Sequence, residues 1–168
     1  MEPRIVEKDR IILIGFSFFG DPFAESGGWT EENEIGRLWN RLIAYLTAQG
    51  DRIRQIEDES VAYEVHIEVE ETASKGYREV FVGLEVGGRH DVPVAVLLKI
   101  RPPATYAVVP PRGEEITSDW SRMITDWMDE ADYRSAHPYT FQRYDRRFQG
   151  LDHLGASELD VYFPIEPA

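Results

Sequence analysis

The spacing of apolar positions changes period several times along the chain, and each change predicts an element. Over residues 31–49, Ile35, Leu38, Trp39, Leu42, Ile43 and Leu46 recur at the spacing of one helical face. Gly50 follows as a stop, Thr30 can cap the start, and Glu31, Glu32 and Glu34 place negative charge at the positive end of the helix dipole. Residues 116–131 repeat the pattern with Ile116, Trp120, Met123, Ile124 and Trp127, and predict a second helix with Asp119 in its early turns. Residues 61–70 switch to a period of two. There Tyr63, Val65, Ile67 and Val69 alternate with Glu64, His66, Glu68 and Glu70, as in a strand with one dry face and one wet face. Further strands are predicted over residues 10–18, 77–86, 94–109, 139–148 and 158–165, with Pro102 and Pro103 bending the third of these. Lys75 and Gly76 mark one turn, and Gly87, Gly88 and Pro93 mark a link between the two halves.

The order strand, helix, strand, strand occurs twice. Laying Trp39 on Trp120 also pairs Ile35 with Ile116, Leu42 with Met123, Ile43 with Ile124 and Leu46 with Trp127. Without a gap the match runs on to Tyr63 with Tyr144, Val80 with Val161, Phe81 with Tyr162, Val82 with Phe163 and Leu84 with Ile165. One register across a helix and two strands argues for an internal duplication, with a first copy over about residues 5–87 and a second over about 93–167. The predicted fold class is α+β, a single domain over residues 1–168. It has an antiparallel sheet, two main helices packed on one face and a ligand groove between the copies. Each helix is expected to cover the sheet face opposite the polar one.

Composition narrows the chemistry. The chain has 168 residues and no cysteine, which excludes disulfides, thiolate nucleophiles and thiolate metal sites and suits a reducing compartment, so a cytoplasmic location is expected. His66, His90, His137 and His153 lack metal-ligand spacing, and the pairs Gly27, Gly28 and Gly87, Gly88 lack phosphate-loop spacing. Neither a metal nor a cofactor is expected. The longest apolar run, residues 11–19, is too short to span a bilayer, so no membrane partner is expected. With 31 acidic against 18 basic side chains the net charge is −13, a field that repels phosphate backbones and favours cationic ligands. Direct nucleic-acid binding is therefore not expected. Aromatic residues form 12% of the chain, enough to leave flat rings for ligand contact after the core is filled.

The second half contains an ordered set of motifs. Residues 106–113 read YAVVPPRG, Trp120, Trp127 and Tyr133 follow, residues 141–145 read FQRYD, and residues 160–165 read DVYFPI. In this order, on a duplicated unit, the chain resembles the GyrI-like effector-binding domain over nearly its whole length. Leu38 and Trp39 on the first helix also suit that family. The resemblance implies a protein that binds hydrophobic, often cationic aromatic compounds, as in the sensor domains of multidrug-responsive transcription regulators. Some members of the family resemble hydrolases that open strained electrophilic rings, and others sequester ligands or protect gyrase. No helix-turn-helix segment fits before Arg10, so a direct transcription factor is not expected. One departure stands out: the family motif places a glutamate two residues before the strand tyrosine, where this chain has Gln142 before Tyr144. An amide can only hydrogen-bond, so a cation or a general base would need another acid. Glu64, Glu68, Asp145 and Asp160 are the candidates by position.

The expected ligand-binding residues are Phe16, Trp39, Tyr63, Tyr106, Trp120, Trp127, Gln142, Tyr144 and Tyr162, with no catalytic residue assigned. Residues 19–29, with Phe23 and Trp29, have no counterpart in the second copy and are a candidate lid. The function expected is a stand-alone binding protein for hydrophobic or aromatic small molecules, cationic ones among them. The alternative is a hydrolase of electrophilic small molecules that uses a groove carboxylate. A protein partner through the groove is the third possibility, and the sequence names none.

Overall fold

In the computed structural model, which describes residues 2–168, the period-two segments form one nine-stranded sheet and the two longer amphipathic segments form helices on it. In chain order the elements are β1 (Arg4–Lys8), β2 (Ile11–Gly20), α1 (Glu34–Gln49), β3 (Ala62–Glu68), the one-turn α2 (Thr72–Lys75), β4 (Arg78–Glu85) and β5 (Leu97–Arg101). They continue with β6 (Ala104–Val109), α3 (Trp120–Glu130), β7 (Tyr133–Ser135), β8 (Tyr139–Tyr144) and β9 (Asp160–Pro167). The strand order is β1-β6-β9-β8-β3-β4-β2-β5, with β7 added alongside β9, and every pairing is antiparallel.

The two copies meet at β3 and β8, where Val65 pairs with Phe141. The duplication is present, yet its register is not ungapped. Phe81 pairs with Val65, and its counterpart Tyr162 pairs with Phe141, so Val65 is equivalent to Phe141 and Tyr63 to Tyr139. Tyr63 and Tyr139 both point to the face that α1 and α3 leave free, whereas Tyr144 points toward the helices. Tyr144 lies an odd number of residues from Tyr139 on the same pleated strand and so takes the opposite face, which means that Tyr63 and Tyr144 cannot correspond. Unequal loops absorb the slip: the link from α1 to β3 is longer than that from α3 to β8, and the link from β8 to β9 is longer than that from β3 to β4.

The sheet bends so that its ends meet. Arg4 through Lys8 pair with Val108 through Ala104, and Ile11 through Gly15 continue the same ladder against Arg101 through Leu97. The break lies at Pro102 and Pro103, which have no N–H to give. β1 was not anticipated because it is short, charged and exposed; β7 is a three-residue edge strand with no pattern to read. The inner face of the bend packs Leu13, Tyr63, Val65, Phe81, Tyr106, Val108, Phe141 and Tyr162.

The outer face holds both helices. α1 buries Leu38 and Leu42 against Ile12, Ile14, Phe16, Val80 and Val82, worth about 1.5–3 kcal/mol for each side chain removed from water. α3 buries Ile124 against Ala107 and Ile165. Both helices start later than the ranges expected from sequence, at Glu34 and at Trp120. Asn33, not Thr30, caps α1 by accepting from the Gly36 N–H at 3.0 Å, and Asp119 caps α3 by accepting from the Ser121 N–H at 3.0 Å. Ile116 consequently sits, fully buried, in a separate 3-10 segment, Gly113–Thr117. The expectation that the helices oppose the polar face of β3 is overturned, because Tyr63, Val65 and Ile67 fill the inner core and Glu64 and His66 face the helical side.

Gly15 and Gly83 pair across β2 and β4, next to Tyr63. A Cβ on Gly15 would lie 1.9 Å from the Val82 carbonyl oxygen, and one on Gly83 would lie 2.1 Å from that of Ile14. We expect Gly15→Ala to lower the unfolding free energy by about 2–3 kcal/mol in urea titrations. A loss below about 0.5 kcal/mol would show that the close approach is not required.

Candidate ligand-binding cavity

α1 and the segment leading into α3 stand apart on the outer face, and between them lies a cavity of about 600 Å³. Glu64 and His66 of β3, with Gln142 and Tyr144 of β8, form its floor. Trp39 and Ile43 line the α1 wall, and Trp120 lines the opposite wall. Phe23 and Trp29 from residues 21–33, and Phe148 and Leu151 from the link between β8 and β9, complete the enclosure.

The segment carrying Trp29 lies on the first turn of α1. Gly36 permits this, because a Cβ there would sit 2.4 Å from the Glu31 Cα and 2.5 Å from the Thr30 carbonyl oxygen. The Asn33 amide donates to the Gly28 carbonyl at 2.8 Å, and Arg37 pairs with Glu25 at 2.5 Å. Trp29 then stands edge-on to Trp120 with ring centroids 6.5 Å apart, and 6.4 Å from Phe148.

The chemistry of the floor centres on Glu64, whose side chain is buried although its position in the sequence alternation is that of a wet face. The Trp39 indole N–H donates to Oε2 at 2.5 Å, and His66 Nε2 hydrogen-bonds Oε1 at 2.7 Å. The Tyr144 hydroxyl donates to the Gln142 amide oxygen at 2.5 Å and lies 3.5 Å from Glu64 Oε2. Burial, and then the negative charge of Glu64, push the Tyr144 hydroxyl well above its ordinary value, so it stays a protonated donor. The rings of Trp39 and Tyr144 meet edge to face at 4.9 Å, and Phe148 meets Tyr144 at 4.9 Å. Among the described residues no lysine or arginine pairs with Glu64; His66 is its one basic neighbour within ion-pair distance. Such a floor offers negative charge and aromatic faces, a combination that attracts cations.

Of the residues proposed from sequence, Trp39, Trp120, Gln142 and Tyr144 come together here. The other five lie elsewhere. Phe16 packs beneath α1 against Tyr45, with the Arg41 guanidinium 4.2 Å from its ring centre. Tyr63 is on the inner face and donates to Glu85 at 2.7 Å. Tyr106 is fully buried there, bonded to Arg101 and, at 2.8 Å, to Tyr139. Tyr162 stacks on Phe141 at 4.3 Å, and Trp127 stacks on Tyr133 at 5.7 Å in the cluster around Ile124, Ala107 and Ile165. Trp127 was expected from helical spacing, Tyr63 from the ungapped register, Tyr162 from that register and its motif strand, and Phe16 and Tyr106 from their strands, and none of these signals encodes which sheet face a strand residue takes.

Among the four acids considered as replacements for the missing glutamate, only Glu64 lines the cavity, and β3 pairs it directly with Gln142. Glu68 is exposed. Asp145 is bound by Arg143 and Arg147, and the Arg147 hydrogen bonds hold its carboxyl below the usual carboxylate range. Asp160 pairs with Arg147 at 2.9 Å and Arg4 at 3.3 Å. Phe23 and Trp29, the aromatic residues of the candidate lid, do line the cavity, whereas residues 19 and 20 belong to β2. His66 and Phe148 were not singled out; the adjacency of β3 and β8 is what would have revealed them.

Trp39→Phe keeps the ring and deletes the donor to Glu64. We expect it to cost about 1–3 kcal/mol of stability in urea titrations, the penalty for a buried carboxylate that loses a hydrogen bond. A change below about 0.5 kcal/mol would contradict the role given to the indole N–H.

Against curated protein sequences the chain finds no significant match. Among solved structures it superposes on the SAV2435 protein bound to tetraphenylphosphonium, at 12% identity and a TM-score of 0.68, covering 99% of this chain and 94% of that one. The C-terminal domain of EcmrR matches at 13% identity and a TM-score of 0.67, covering 99% and 98%. A hydrolase encoded by lin2189 from Listeria innocua matches at 10% identity and a TM-score of 0.55, covering 98% and 92%. At these identities the three share the fold with this chain. The sequence profile of the GyrI-like small molecule binding domain matches residues 1–166, and the chain belongs to that family.

Proposed function

We propose that the cavity binds lipophilic, charge-delocalised organic cations and that Glu64 is their anionic anchor. The observation behind this reading is a buried carboxylate, set among Trp39, Tyr144 and Phe148, with no lysine or arginine paired to it among the described residues. Its two oxygens already accept from Trp39 and His66, so the preferred guest needs no hydrogen bond and gains from charge and ring contact alone. Quaternary phosphonium and ammonium groups fit that description, at about 0.5–2 kcal/mol per ring face. A volume of about 600 Å³ suits a drug-sized molecule, and the net charge of −13 draws cations toward the surface. The tetraphenylphosphonium held by the structurally similar SAV2435 protein supports the same ligand class.

Glu64→Gln keeps the hydrogen-bonding shape and removes the charge. In calorimetric titrations we expect it to weaken tetraphenylphosphonium binding by about tenfold or more, equivalent to about 1.4 kcal/mol or more, while a neutral analogue such as triphenylphosphine oxide is unaffected. Equal losses for both ligands would show that Glu64 acts through packing and not through charge.

A hydrolytic reading is favoured by the contact of His66 with Glu64 at 2.7 Å and by the protonated Tyr144 hydroxyl beside them. Here Glu64 would take a proton from an attacking water while Tyr144 protonates the leaving atom of a strained ring. Incubation with an electron-poor epoxide, followed by mass spectrometry, checks it. Addition of one water by the native protein and none by Glu64→Gln would establish turnover; unchanged substrate with both proteins would leave binding as the function.

A further inference from the structure

The carboxylate that anchors the proposed cation already has a protonatable neighbour inside the cavity. His66 lies two residues from Glu64 on the same face of β3, its side chain is 15% exposed, and its Nε2 is 2.7 Å from Glu64 Oε1. The groups that face it are few. Glu64 shares its strand, Tyr144 comes from β8, and Glu31 lines the cavity from the segment before α1. The cross-strand neighbours of His66 are the uncharged Val80 and Thr140, and α1 contributes the uncharged Trp39 and Asn40 to the same cavity. Arg78 is turned to Phe23, with its guanidinium 5.9 Å from that ring. His66 is therefore the one basic side chain among the cavity-lining residues. Neutral, it offers Glu64 a hydrogen bond; protonated, it puts a full positive charge against the carboxylate that a guest cation would use.

We infer that His66 sets the charge selectivity of the cavity as a protonatable competitor for Glu64, so that binding of an organic cation is coupled to loss of a proton from His66. The inference rests on the cation reading above. Its direction follows from reciprocity, since a cation that disfavours the protonated imidazole must itself be disfavoured by it. At a pH low enough to protonate His66, the competitor is present and cation affinity is low. As pH rises through the titration of His66, the competitor disappears and affinity rises to a plateau. A neutral ligand of the same shape gains nothing from the change.

The test is calorimetric titration of the full chain with tetraphenylphosphonium and with triphenylphosphine oxide. It is run at about pH 5.5 and about pH 8, which bracket the range where histidine changes charge, in buffers of differing ionisation enthalpy. We expect phosphonium affinity to rise about tenfold between the two pH values, with buffer-dependent heat that reports proton release. The phosphine oxide should show neither. His66→Gln should bind phosphonium with an affinity that does not change between the two pH values. Binding of phosphonium by the native protein that is independent of pH, or full pH dependence retained in His66→Gln, would overturn the inference and leave the cation site standing. Absence of phosphonium binding at either pH would overturn the cation reading and this inference with it. Melting curves establish that His66→Gln folds; if it does not, the buffer-dependent heat of the native protein decides alone.

Discussion

A carboxylate removed from water is among the most costly groups a small domain can bury, by several kcal/mol unless partners surround it. Glu64 is such a group, and the architecture of the outer face is organised around satisfying it. Trp39 descends from α1 to donate to one oxygen, His66 reaches the other from the same strand, and Tyr144 stands beside them with its own proton directed to Gln142. These contacts tie α1, β3 and β8 together at the line where the two copies meet. The same contacts leave the space above the floor apolar in its walls and negative at its base.

Duplication explains the scaffold and not the site. Each copy supplies a helix for the outer face and strands for the bent sheet, and Val65 against Phe141 marks the axis between them. The residues on the floor are unlike, however. Glu64 and His66 come from the first copy, Gln142 and Tyr144 from the second. An acid missing from one strand is thereby supplied by the residue opposite it on the next. The inner face takes the opposite course, with Tyr63, Tyr106, Phe141 and Tyr162 packed as a core whose hydroxyls are bonded within the protein where Tyr63 and Tyr106 are concerned.

Much of the fold was legible in the chain. The helical stripes through Leu38 and Leu42 and through Ile124, the alternation of β3 and the duplication all follow from spacing. Of the site, Trp39, Trp120, Gln142 and Tyr144 were legible, because helical spacing and a family motif place them. Glu64 and His66 were harder, since the floor of a buried polar cavity and a solvated strand face have the same alternating pattern. Only the pairing of β3 with β8 separates the two cases. Tyr63 was misplaced because an offset read from the last strand and the helix was carried onto β3, where the unequal loops had already changed it, whereas Tyr106 and Tyr162 were expected in the groove from their motif strands and turn to the inner face. Phe16 and Trp127 are rings at core spacing that proved to be core.

The claim on which the account depends is that a cation sits over this floor. A crystal structure of the complex with tetraphenylarsonium tests it most directly, because the anomalous signal of arsenic locates the charge without ambiguity. The arsenic is expected between the two copies on the outer face, its phenyl groups against Trp39, Trp120 and Tyr144, and the nearest ring centres within about 6 Å of the cation. An arsenic site on the inner face or on the protein's exterior, with the cavity above Glu64 closed to it, would rule out Glu64 as the anchor.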